Sequence, residues 1–218
     1  MHSWTPSWPL LWPFILASVA LAITPGPGVL YIVSRTLAQG RRAGIASVAG
    51  VALGNLGNAW AACLGLAALF AISALAFSVV KYAGAAYLIF LGMRTLARTR
   101  AKSGFCPEAE AEPIAATRIF RDGFIVAIFN PKTALFFAAF LPQFLDPKAP
   151  PALPGMALGA VFVAIAAVSD TAYALTAGAI APALRLATGA HAFGRYCSAS
   201  ALIGLGAFTA LAGSRHAK

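Results

Sequence analysis

Acidic side chains are nearly missing from this chain. Its 218 residues carry 6 Asp and Glu against 16 Lys and Arg, a net charge of +10. Charged residues make up 10% of the total, where a soluble domain holds about 25%. The material for a water-facing surface is not there. The first charge is Arg35, and residues 43–80 carry none. Cysteine is scarce too. Cys63, Cys106 and Cys197 show no CxxC or ligand-like spacing, so neither a disulfide framework nor a metal centre is expected. Cys63 and Cys197 lie in apolar runs and read as small packing residues. His2, His191 and His216 fall in terminal or loop positions. No GxSxG, HExxH or Walker-type loop is present. No catalytic set, cofactor or metal is expected, and a primary ATP-driven pump acting alone is disfavoured. The N-terminus lacks the charged region and small-residue cleavage site of a removable signal peptide. The first apolar run therefore reads as a retained span.

What is present is apolar: 60% hydrophobic residues and a mean hydropathy of +0.81. That composition reads as an integral membrane protein in a lipid bilayer. The basic balance does not point to nucleic acid, because Lys and Arg fall between the apolar runs, as in membrane proteins with cytoplasmic basic loops. About 20 apolar residues cross the hydrocarbon. On that measure six spans follow, about 10–33, 44–72, 79–96, 123–145, 155–179 and 196–211, with a turn at "SALAFS" (73–78), a polar segment over 98–122 and a connection over 183–194. Trp4, Trp8 and Trp12 repeat every four residues at the start of the first span, as an interfacial aromatic belt or a packing stripe would. One set of loops and span ends carries Arg35, Arg41, Arg42, Arg94, Arg98, Arg100, Lys102, Arg118, Arg121, Arg185 and Arg195; the other carries Lys81, Lys148, Arg215 and Lys218. The richer side is expected in the cytoplasm, with both termini outside.

Two spans contain helix breakers. "TPGPG" (Thr24, Pro25, Gly26, Pro27, Gly28) interrupts the first and "NPK" (Asn130, Pro131, Lys132) the fourth. Proline removes a backbone donor and glycine weakens a helix. In lipid the freed backbone groups are tolerable only where they line a cavity or are buried in protein. "KYAGAAYLIFLGMRTL" (81–96) also aligns without gaps on "RYCSASALIGLGAFTA" (195–210). Tyr82, Ala85, Leu88, Ile89, Leu91, Gly92 and Thr95 match Tyr196, Ala199, Leu202, Ile203, Leu205, Gly206 and Thr209. Three helices per half invert the second half relative to the first, the pattern of many secondary transporters. The expected fold is an all-α membrane protein, with six transmembrane helices in an inverted 3+3 repeat and helices 1 and 4 broken. One transporter domain covers 1–218, its halves about 10–97 and 120–212, joined by the polar loop 98–119.

"TPGPG", "KYAGAAYLIFLG" and "FNPKTALFFAAFLPQF" together resemble the LysE/RhtB superfamily of amino-acid exporters, and the likeness covers nearly the whole chain. The resemblance implies a six-helix inner-membrane translocator without ATP, driven by membrane potential or by a proton gradient. It implies substrates of the threonine, homoserine, homoserine lactone, leucine, lysine or cysteine kind, and the proton as coupling ion. Gly54-Asn55-Leu56-Gly57-Asn58 stands where relatives often carry other polar side chains, so the substrate's identity stays open.

An amino acid presents a carboxylate and an ammonium group, and the site needs a partner for each. Amides near Gly28, at the start of the half-helix after the break, are expected to take the carboxylate. Asp170 is the only acid inside an expected span. A carboxylate there is expensive unless paired, hydrated or protonated. It either holds the substrate ammonium, carries the coupling proton, or makes a structural ion pair with Lys132 or Arg195. Lys132 either pairs with Asp170, meets the substrate carboxylate, or reaches to the interface. Asn130 bonds freed backbone or substrate. Asn55 and Asn58, three apart, share a helical face. That face lines the cavity or joins helices by hydrogen bonds, beside the small residues Gly50, Gly54 and Gly57. Small-residue faces also permit a homodimer. A passive channel or a membrane-embedded enzyme is the alternative class; the latter would need clustered catalytic groups, which are missing.

Overall fold

The computed structural model describes residues 8–63, 74–100, 114–145 and 152–188, with 199, 200, 202–204, 206, 207, 210 and 211 near the C-terminal end. Among these, every regular element is helical. Helix α1 is Trp8–Ile23, α2 Pro27–Gln39, α3 Arg41–Cys63, α4 Ala74–Arg100, α5 Ala116–Ile128, α6 Pro131–Ala139 and α7 Ala152–Thr188; a 3-10 turn, Leu141–Phe144, follows α6. Leu153–Pro182 of α7 is long and apolar enough to cross a membrane unbroken, and the bent pair Leu11–Ile23 with Pro27–Gln39 makes a second such span by length and composition.

Both breaks form where the breakers stand. The halves around Thr24–Gly26 bend by 44°. Pro27 opens α2 and Pro131 opens α6, positions where a missing N–H leaves no bond unmade. Three boundaries differ from the sequence reading. Ala74 to Ser78 belong to α4, not to a turn; residue 73 lies outside the described residues. The polar segment 98–122 is helical at both ends, through Arg100 and from Ala116, while 101–113 lie outside. In α5 Arg118 and Arg121 alternate with the buried Ile119, Asp122, Gly123 and Val126, so polar composition conceals an amphipathic helix. The expected connection 183–194 is helical through Thr188, in a run of Ala, Leu and Arg that favours helix.

Hydrophobic burial does not drive helices together in lipid, so close approach through small residues does. Helix α3 packs on α5 through such a stripe. A Cβ at Gly50 would lie 2.1 Å from the Phe120 carbonyl oxygen, and one at Gly54 would lie 2.6 Å from both Ala127 Cβ and the Phe124 carbonyl oxygen. Backbone cannot yield as a flexible side chain can. Gly50→Ala is therefore expected to destabilise by about 1–3 kcal/mol, while Gly204→Ala, with nothing within 4 Å, should not. Thermal unfolding in detergent measures both; equal midpoints would remove the close-packing account.

Helix α4 meets the helical residues after 198 reciprocally. A Cβ at Gly92 would lie 2.9 Å from the Ala199 carbonyl oxygen and 3.1 Å from Ile203 N; one at Gly206 would lie 2.8 Å from the Ala85 carbonyl oxygen and 3.1 Å from Ile89 N. Gly92, Ile89 and Ala85 are the positions that the alignment pairs with Gly206, Ile203 and Ala199. Two apolar clusters fill the interior. One contains Tyr31, Ile32, Val51, Leu88 and Val126. The other contains Phe14, Ala22, Phe137, Leu158, Phe162 and Ala166, with stacked and edge-on contacts among Phe14, Phe136, Phe137, Phe140, Phe144 and Phe162. Cys63 packs here against Gly155; Cys106 and Cys197 lie outside the described residues.

Candidate functional site

A helix leaves its last four carbonyls and first four amides without intrahelical partners. At the end of α1 every one of those carbonyls has a donor. Thr24 N and its Oγ1 donate to the Ala20 carbonyl at 3.2 and 2.7 Å. Lys132 Nζ, from α6, donates to the Leu21 carbonyl at 2.7 Å and also to that of Thr24. From α7, Ser169 Oγ donates to Ala22 at 3.2 Å and the Tyr173 hydroxyl to Ile23 at 2.7 Å. Ser169 and Tyr173 are four apart, on one helical face, and they fix Asp170 at the level of the break.

The start of α2 is different. Its N-cap is Gly26, which offers no side-chain cap. Pro27 has no N–H, and Leu30 N donates to the Gly26 carbonyl at 3.0 Å. The amides of Gly28 and Val29 are left without a partner among the described residues, at the positive end of the half-helix. The start of α6 is capped: Asn130 Oδ1 accepts from Lys132 N at 3.1 Å, and Asn130 Nδ2 donates to Thr133 Oγ1 at 3.0 Å.

These pieces converge on one small cavity of about 40 Å³. It is lined by Leu21, Ala22, Gly26, Gly28, Val29, Val51, Asn55, Asn130, Lys132, Thr133, Phe162, Ala166 and Asp170. Val51 belongs to the first apolar cluster, and Ala22, Phe162 and Ala166 to the second, so the cavity lies at their junction. A wider concavity of about 480 Å³, lined by Thr117, Arg118 and Arg121, opens at the start of α5. It lacks the enclosure and the mixed donors and acceptors of the first.

Of the residues that sequence reading assigned to substrate, Gly26, Gly28, Asn55, Asn130, Lys132 and Asp170 line the cavity. Thr24, Pro25, Pro27, Pro131 and Asn58 do not; the first four shape the breaks. Asn58 Nδ2 donates to the Ala127 carbonyl at 2.8 Å, capping the end of α5. Asn55, one turn earlier, is buried, and its Oδ1 has no partner among the described residues. Asp170 is 5% exposed. Both ion pairs within 4.0 Å among the described residues belong to Asp122; Lys132 and Asp170 stand farther apart, with their charges acting on each other, and Arg195 lies outside. Thr133, Ser169 and Tyr173 were not singled out from sequence, although their polar character beside Lys132 and Asp170 was visible.

Asp170 is not the only buried acid. Asp122, read from sequence as part of the polar segment, is 3% exposed. Arg35, itself buried, reaches its Oδ2 at 3.8 Å. The Tyr87 hydroxyl donates to Oδ1 at 3.2 Å, and exposed Arg121 approaches at 3.4 Å. The Arg35 guanidinium lies 5.3 Å from the centre of the Tyr31 ring, and the Tyr31 hydroxyl donates to the Ile119 carbonyl at 2.8 Å. Arg35 lies nine residues after the N-cap Gly26 and Asp122 eight before the N-cap Asn130, roughly 12–14 Å of helix.

Comparison with known proteins adds independent findings. The family model described as LysE type translocator matches residues 19–213. The chain is 34% identical over 168 residues to the homoserine/homoserine lactone efflux protein of Salmonella typhimurium, covering 77% of this chain and 80% of that protein. It is 30% identical over 139 residues to the leucine efflux protein of Salmonella choleraesuis, covering 64% of this chain and 65% of that protein. No solved structure matches.

Proposed function

The chain belongs to the LysE type translocators, and from that premise we propose that it exports neutral amino acids or close derivatives across the bacterial inner membrane. The observation that carries this reading is the cavity between two broken helices, with the uncapped amides of Gly28 and Val29 and the Asp170 carboxylate on its wall. A zwitterion needs both. The amide end takes the carboxylate; Asp170 and the open Asn55 Oδ1 take the ammonium. Leu21, Val29, Val51 and Phe162 are left for an uncharged side chain. The relatives' names, homoserine, homoserine lactone and leucine, fit that lining.

The finer architecture belongs to the same reading. Six spans form an inverted 3+3 repeat with halves about 10–97 and 120–212, supported by the paired proline-opened half-helices and the reciprocal Gly92 and Gly206 contacts. Both termini face outside in this reading, supported by the bias of Lys and Arg toward one set of loops. Export runs by alternating access around this cavity, coupled to protons. The protein is not an enzyme.

Cells overproducing the protein and loaded with dipeptides are expected to release homoserine-like or leucine-like amino acids faster than control cells. No accelerated release of any amino acid or derivative sinks the reading. In the same cells a single cysteine at residue 2 should label from outside; labelling only from the cytoplasm reverses the orientation.

A further inference from the structure

The cation at the first break is a side chain. Lys132 Nζ donates to the Leu21 carbonyl at 2.7 Å and to that of Thr24, at the negative end of α1. In transporters with discontinuous helices, such half-helix ends and unwound carbonyls coordinate the coupling cation. Here that place is taken by an ammonium delivered from the other broken helix, 111 residues away from Leu21. Resting on the exporter reading, we propose that Lys132 is a tethered cation seated where a free monovalent ion would otherwise bind, and that removing it turns the seat into a sodium site.

Three observations build the seat. The lysine stem passes over Gly26, where a Cβ would lie 3.1 Å from Lys132 Cδ; glycine leaves that path open. The oxygens around the seat are the Leu21 and Thr24 carbonyls, with the Asp170 carboxylate and the unpartnered Asn55 Oδ1 on the same cavity wall. Carbonyl and carboxylate oxygens suit a hard cation. Lys132 also forms no ion pair with Asp170 within 4.0 Å. Its ammonium is held by backbone carbonyls, near enough for its charge to act on Asp170. The lysine thereby ties the end of α1 to the start of α6 without a dissociable ion.

The test uses the purified full-length protein in detergent and compares thermal unfolding in sodium chloride with choline chloride at equal concentration. The wild type is expected to unfold at the same temperature in both. Lys132→Ala should fall by about 4 °C or more in choline and regain at least half of that loss in sodium. Lys132→Ser, which adds a hydroxyl oxygen, should respond to sodium in the same way. A sodium-specific rise in the wild type overturns the proposal, because its seat is already filled. So do variants with equal midpoints in the two salts, or variants recovered folded in neither. Amino-acid release is not the readout. Failure here leaves the exporter reading standing, and failure of the release assay leaves this measurement intact.

Discussion

Asp170→Asn is expected to reduce export to the level of control cells while the protein still inserts and folds. Asparagine nearly preserves shape, so the packing of α7 and the Ser169 and Tyr173 contacts to α1 should survive. The charge does not. A substrate ammonium brought into the cavity between the broken helices would then lack its counter-charge. Losing one partner of a buried pair costs about 3–5 kcal/mol, which at 1.4 kcal/mol per decade is at least a 100-fold loss. Any coupling proton carried by this carboxylate is lost as well. Dipeptide-loaded cells read the release, and a membrane immunoblot with thermal unfolding confirms insertion. Wild-type release from this variant would remove Asp170 from the site.

Asp122→Ala is expected to damage stability rather than specificity. Arg35 is 6% exposed and its Nε already lacks a partner. Removing the carboxylate strands a buried guanidinium, at about 3–5 kcal/mol, or about 10 °C in the unfolding midpoint for a chain of this size. The Arg121 contact is a minor part of this, since its side chain is 61% exposed and exposed pairs contribute little. Replacing both partners, Arg35→Met with Asp122→Leu, should cost less than the two single changes added, because no unpaired charge is left inside. A double-mutant cycle on midpoints measures the difference. A single Asp122→Ala worth under about 1 kcal/mol would show that the pair is not buried in the working protein.

Why the sequence showed one acid and hid the other is a matter of context. Asp170 stands alone in an apolar run, so burial follows from composition. Asp122 stands beside Arg121 among other charges, where composition suggests water. Only the packing of α5 on α3, through Gly50 and Gly54 against the backbone around Phe120 and Phe124, turns one face of that charged stretch inward. Asn55 and Asn58 show the same limit. Their spacing puts both on one face, yet one opens into the cavity and the other caps Ala127, because the neighbours on that face differ within a single turn.

The sequence by itself determined that this is an all-helical protein of apolar character, that two of its helices break at "TPGPG" and "NPK", and that Asp170 sits alone in an apolar run. Those follow from local rules: missing donors, missing side chains and uncompensated charge. The tertiary structure alone decided what each freed backbone group meets. It gave the carbonyls of α1 to Lys132, Ser169 and Tyr173 and left the amides of α2 to the cavity. The physical reason is that a broken helix creates donors and acceptors in equal measure. Which of them stay open depends on side chains that arrive from helices more than a hundred residues away.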